Sequence, residues 1–166
     1  MAQHIVDFIS NTFNNPHWVT FFLAMLPITE LRVALPWGWT IGNLSWAAAF
    51  GWAVAGNFLI SIPILLLLEP VSTWLMRYRW GDRFFNWLFA RTRRKGKLIE
   101  TAEFWGLVVF VGIPLPVTGA WTGCVAAFLF GMKYPKALLA IFLGLLMSAS
   151  IVSIAVYSGM AAFRFF

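Results

Sequence analysis

Twice in this chain an apolar run long enough to cross a bilayer is interrupted at its own centre. The run at about residues 18–41 contains Pro27, Pro36 and Gly38. The run at about residues 104–130 contains Pro114, Pro116, Gly119 and Gly123. Proline removes a backbone donor and clashes with the preceding turn, and glycine lets the backbone reverse sharply. Two further runs, at about residues 44–68 and 137–163, are less disturbed, and the last has no proline. A crossing helix needs about 20 apolar residues. The second and fourth runs therefore predict crossing helices, and the first and third predict paired half-helices joined by a turn. Non-helical backbone at membrane depth survives only inside protein or beside a wet cavity. Two kinked spanning helices are the plain alternative.

Composition excludes the other solvents. Of 166 residues, 61% are apolar and 11% charged, with 17 Phe and 10 Trp. One soluble core of this size could not bury so much apolar surface. A soluble enzyme, a disordered tail and a disulfide-rich secreted module are excluded. The single cysteine, Cys124, reads as a small packing residue. The N-terminus has no basic region before its apolar residues, so it does not read as a cleaved signal peptide.

The net charge of +6 is unevenly placed. Eight of the twelve basic residues lie at 77–97, interleaved with Trp and Phe. That mixture fits an anionic lipid surface rather than nucleic acid, with rings and stems below the headgroups and charges above. Arg91, Arg93, Arg94, Lys95 and Lys97 are the expected headgroup contacts. The positive-inside rule makes this segment cytoplasmic. Lys133 and Lys136 stay on the same side only if the third run enters and returns. By symmetry the first run then dips in from the outside. Residues 1–16 read as an amphipathic segment with Ile5, Phe8, Ile9 and Phe13 on its apolar face.

A shift of 89 positions aligns the two halves without gaps. Leu26-Pro27-Ile28-Thr29 falls on Leu115-Pro116-Val117-Thr118, Gly42 on Gly131, Ala48 on Ala137, Ser61 on Ser150 and Ile62 on Ile151. The expected fold is an all-α polytopic membrane protein built as an inverted repeat. Each copy is a re-entrant broken-helix hairpin plus a transmembrane helix. The single membrane domain, residues 1–166, divides into the N-terminal segment (1–16), repeat 1 (17–70), the basic interfacial segment (71–103) and repeat 2 (104–166). Inverted repeats with discontinuous helices are a transporter architecture, with the site where the breaks meet.

The candidate site begins with Glu30 and Arg32. A charge at membrane depth costs roughly 2.5–3.5 kcal/mol on insertion scales, and such residues tend to face cavities. Glu30 can exchange a proton or bind a cation. Arg32 offers a planar fork of donors to an anion. The alternative is a pair that neutralises itself or caps backbone freed at the break. Thr29, Thr118, Trp121 and Thr122 supply further hydroxyls and an indole donor. Asn57 reads as a helix–helix hydrogen bond, and Glu69 as a helix-end carboxylate at the interface. No metal-ligand spacing, nucleotide loop or Ser/His/Asp set occurs in the sequence, so no cofactor, no metal and no enzymatic activity are expected.

The E-L-R-x-A-x-P run at residues 30–36 and the G-x-P-x-P-x-T-G-A-W-T-G run at 112–123 resemble the small multidrug export protein family, over about residues 18–160. More distantly they are similar to the DedA or VTT-domain membrane proteins. The first resemblance implies drug export. The second implies proton-coupled movement of lipids between leaflets, with an acidic residue and an arginine in the re-entrant regions; Glu30 and Arg32 match those positions. Here the counterpart of Arg32 in the second half is Trp121. The resemblance implies a multi-pass protein of a bacterial or archaeal cell (inner) membrane. The main expectation is a transporter or translocase that moves an anionic lipid or amphiphile; the alternatives are proton-coupled export of lipophilic drugs and a non-transporting scaffold on anionic lipids. A homodimer is expected, because two crossings and two hairpins leave little room for an enclosed pathway.

Overall fold

A computed structural model describes residues 2–77, 97–115 and 118–163. The described residues form seven helices and no strands: α1 (Ala2–Thr12), α2 (Pro16–Met25), α3 (Glu30–Thr40), α4 (Trp46–Leu75), α5 (Lys97–Gly112), α6 (Ala120–Leu129) and α7 (Tyr134–Phe163). Helices α4 and α7 carry the stretches Trp46–Trp74 and Tyr134–Met160, each long and apolar enough to cross a membrane. Only 28% and 44% of their most apolar windows are buried inside the protein, so most of that apolar surface faces outward, as lipid requires. The protein is a membrane protein.

Local chemistry sets the short helices. Pro16 opens α2 at a position where its missing N–H costs nothing, and the Asn15 side chain accepts the His17 backbone N–H at 3.0 Å. Leu26, before Pro27, is extended and ends the helix. At ten residues, α2 is about 15 Å long, half a bilayer core. Helix α3 then turns back along α2. A Cβ on Gly38 would strike the Thr20 side chain, and one on Gly42 would crowd Pro16. The two helices are thus an antiparallel hairpin whose tip is residues 26–29.

A second pair of helices, α5 and α6, follows α4. The tip after α5 includes Pro114 and leads into α6, where a Cβ on Gly123 would strike Val111. Helix α2 lies along α4, with Gly56 seated on the Phe21 carbonyl. Helix α5 lies along α7, with Gly144 against Val111 and the Val108 carbonyl. The halves also exchange contacts, since α6 packs on α4 and α3 packs on α7. Phe58 packs on Phe142 at 5.1 Å between ring centroids. Farther along α4, Leu65, Leu66 and Glu69 line a cavity of about 320 Å³ with Tyr134 and Ala137 at the start of α7. Rising numbers on α4 meet falling numbers on α7, so these long helices are antiparallel. The core where α2 to α7 meet is small-residue rich, with Ala24, Ala34, Ala53, Ala120, Ala127 and Ala140 fully buried.

Several expectations need correction. Pro36 and Gly38 do not break the first run, because α3 passes through both. Packing against α2 and α4 holds that turn. Gly123 likewise lies within α6 as a close-packing position, not at a break. Helix α4 continues through Pro63 and Pro70 to Leu75, and α5 already begins at Lys97, so both helices enter the expected interfacial segment. Neighbouring helices can hold a proline-interrupted turn in lipid. On α1, Val6 and Ile9 pack on the core and Phe8 is exposed. The side chain of Ile5 lies outside the described residues. So do Pro116, Arg91, Arg93, Arg94 and Lys95, and the side chain of Lys97.

Candidate functional site

The two hairpin tips touch. Glu30 is the first residue of α3, and its carboxylate lies against Gly119, which precedes α6. A Cβ at residue 119 would overlap both carboxylate oxygens, so only glycine fits there. The carboxylate faces the Trp121 backbone N–H in the first turn of α6. A negative charge there complements the helix dipole. Glu30 itself has φ 44°, a left-handed conformation uncommon outside glycine. Strain of this kind persists only where the surroundings over-determine it. Here the surroundings are α6, Gly119 and Arg32.

Arg32 closes the site with two hydrogen bonds. Its Nη2 donates to Glu30 Oε2 at 3.2 Å, and its Nη1 donates to the Leu115 carbonyl of the other tip. On a regular helix, residues two apart do not face each other. The left-handed start of α3 brings these two together. The pair is mostly shielded, at 11% side-chain exposure for Glu30 and 24% for Arg32.

Trp121 makes the matching contact from the other side. Its indole Nε1 donates to the Met25 carbonyl at 3.0 Å. Met25 ends α2, so its carbonyl is one left without an intrahelical partner where a helix stops, whereas the Leu115 carbonyl, in the turn after α5, also accepts the Thr118 N–H at 3.1 Å. Arg32 and Trp121 are 89 residues apart, the same shift that aligns the two halves. Glu30 and Gly119, which touch, are also 89 apart.

The three threonines serve the tips. Thr29 is buried and its hydroxyl donates to the Leu23 carbonyl. The Thr118 hydroxyl bonds the Ile113 carbonyl at 2.8 Å and the Leu115 carbonyl at 2.9 Å, and accepts the Leu115 N–H at 3.1 Å. Thr122 accepts the Gly119 N–H at 3.1 Å. Glu30, Arg32 and Trp121 therefore meet, while the threonine hydroxyls hold the turns on which they stand. Sequence reasoning did not foresee Gly119 as the floor beneath Glu30, nor the carbonyls of Met25 and Leu115. The 89-residue alignment pairs Glu30 with Gly119, but alignment marks equivalence and not contact.

Two antiparallel long helices, two hairpins tip to tip and an ion pair at their junction define a membrane protein of transporter type. A family model described as "Putative small multi-drug export protein" matches residues 30–151, from Glu30 itself to the middle of α7. The chain belongs to that family. No curated protein and no solved structure matches it. The more distant DedA resemblance is not shown by these comparisons.

Proposed function

We propose that this protein exports small amphiphilic solutes across the membrane, and that Glu30 and Arg32 at the junction of the hairpin tips are its substrate and proton site. The observation that carries the reading is the placement of the family's first matched residue, Glu30, in an ion pair between two helix breaks. Charged groups held at membrane depth tend to serve a pathway. The protein moves its substrate and does not transform it.

The architecture behind this reading is an inverted repeat of re-entrant hairpins. Its support is threefold: the LPIT and LPVT tips, the antiparallel long helices, and the reciprocal donors Arg32 and Trp121. Short helices that meet at their tips support a site near the midplane. The basic residues at 77–97 put that segment on the cytoplasmic face, against anionic lipid. Two copies would enclose a pathway that one copy leaves open to lipid.

The test is transport by the full chain in proteoliposomes carrying a pH gradient. Wild type is expected to drive efflux of a fluorescent lipophilic cation and Glu30→Gln to abolish it, with reconstitution yields equal. Unchanged efflux in Glu30→Gln would remove Glu30 from the mechanism. The lipid reading predicts movement of labelled anionic phospholipid, lost in Arg32→Ala, with no cation efflux.

A further inference from the structure

Arg32 sits in this site as a ligand does. Its terminal nitrogens are held by two acceptors that belong to different tips: the Glu30 carboxylate and the Leu115 carbonyl. Each acceptor also has contacts of its own besides the arginine. Glu30 is fixed by Gly119 and the start of α6, and the Leu115 peptide by hydrogen bonds of both its N–H and its C=O to the Thr118 hydroxyl. Remove the guanidinium and what is left is a mostly buried carboxylate beside a carbonyl oxygen. That is an acceptor pair for a cation bearing N–H groups. Exposed apolar side chains stand beside it on both tips, with Ile28 57% and Leu115 55% exposed.

From this geometry we infer that the pocket holding the Arg32 guanidinium is a binding site for amphiphilic organic cations with N–H donors, alkylguanidiniums and primary alkylammoniums, and that Arg32 is its tethered occupant. The inference rests on the export reading and names the substrate class of the same site. It removes a conflict within that reading. A fixed positive charge two residues from Glu30 would repel a cationic substrate bound alongside it, but not one that takes its place. The tethered cation keeps Glu30 neutralised in the empty protein and yields to a substrate carrying the same donors. Quaternary ammoniums can satisfy the carboxylate charge but have no N–H for the Leu115 carbonyl, so they are poor competitors.

The experiment is calorimetric binding to the purified full chain in nanodiscs, with hexylguanidinium and hexyltrimethylammonium as probes. Titration into empty nanodiscs corrects each probe for its partition into lipid, so the remaining difference between them reports the site. Wild type is expected to bind hexylguanidinium weakly, and Arg32→Ala about tenfold tighter or more. Hexyltrimethylammonium gains nothing from that substitution, and Glu30→Gln combined with Arg32→Ala loses the hexylguanidinium gain. Hexylguanidinium should also raise the melting temperature of Arg32→Ala and not that of the double variant. If Arg32→Ala yields no folded protein, Arg32→Gln carries the same expectations. Equal gain for both probes, or a gain that survives Glu30→Gln, overturns the inference. The selective binding pattern in a protein that transports nothing would instead end the export reading. Glu30-dependent transport without that pattern would spare the export reading and end this inference.

Discussion

The two tips meet but do not share a chemistry. Where the first tip has Glu30 and Arg32, the second has Gly119 and Trp121. In each, the later residue donates to a backbone carbonyl of the opposite hairpin, Arg32 to Leu115 and Trp121 to Met25. One donor is a cation and the other a neutral indole. The earlier residues differ more sharply: one projects a carboxylate, and the other contributes only the space the carboxylate fills. Two tips that both carried Glu and Arg would crowd like charges into one small volume of low dielectric, at high desolvation cost. Asymmetry is how one ion pair can occupy the junction of two similar halves.

Gly119→Ala attacks that asymmetry most directly. The added methyl group overlaps the carboxylate, so Glu30 must leave its place and its pairing with Arg32. The expected cost is about 3 kcal/mol, from overpacking and a broken, mostly buried ion pair. Thermal unfolding in detergent should show it, alongside loss of transport. Combining it with Glu30→Gly should cost less than the sum of the two singles by about 1–3 kcal/mol, since the clash is then gone. Strict additivity of the pair would mean that Gly119 and Glu30 do not touch.

Much of this was legible in the sequence, and the failures share a cause. The long helices declared themselves by apolar length, and Glu30 and Arg32 by being charges in an apolar run. Pro27 and Pro114 marked real tips. Pro36, Gly38 and Gly123 carried the same local signal and were misread, because a breaker shows only what the backbone loses. Whether the helix stops depends on what packs against it, and Thr20 and Val111 are distant in sequence or on another helix. The contact between Glu30 and Gly119 was hidden for a related reason. Glycine has no side chain to suggest a partner, and its role is seen only when the other tip is in place. Trp121 was noticed as a donor, but its acceptor, the Met25 carbonyl, has no sequence signature.

Trp121→Phe separates the two donors. Phenylalanine keeps the ring and loses the N–H, leaving the Met25 carbonyl unpaired. The expected loss is about 1 kcal/mol of stability, the usual scale for one buried hydrogen bond. Arginine at residue 121 would restore a donor but bring a second positive charge to the junction. Trp121→Arg should therefore be less stable than Trp121→Phe, although it makes the two tips more alike. If it is more stable, charge crowding is not what keeps the tips different.

The smallest effect is expected at Asn57, where the 89-residue shift pairs an amide in the first half with Leu146 in the second. Asn57 is 1% exposed on α4, and its Oδ1 has no hydrogen-bond partner among the described residues. The cost of an unpaired buried acceptor falls on the folded state, so Asn57→Leu should leave stability unchanged or raise it by up to about 1 kcal/mol. The midpoint of thermal unfolding in detergent reads this directly. Replacing a structural amide with the residue its counterpart already carries should leave transport intact. A fall in stability would mean that the amide oxygen is bonded in the folded protein, through water, and that the first half differs from the second along its long helix as well as at its tip. Loss of transport at unchanged stability would extend the pathway from the Glu30–Arg32 junction to α4.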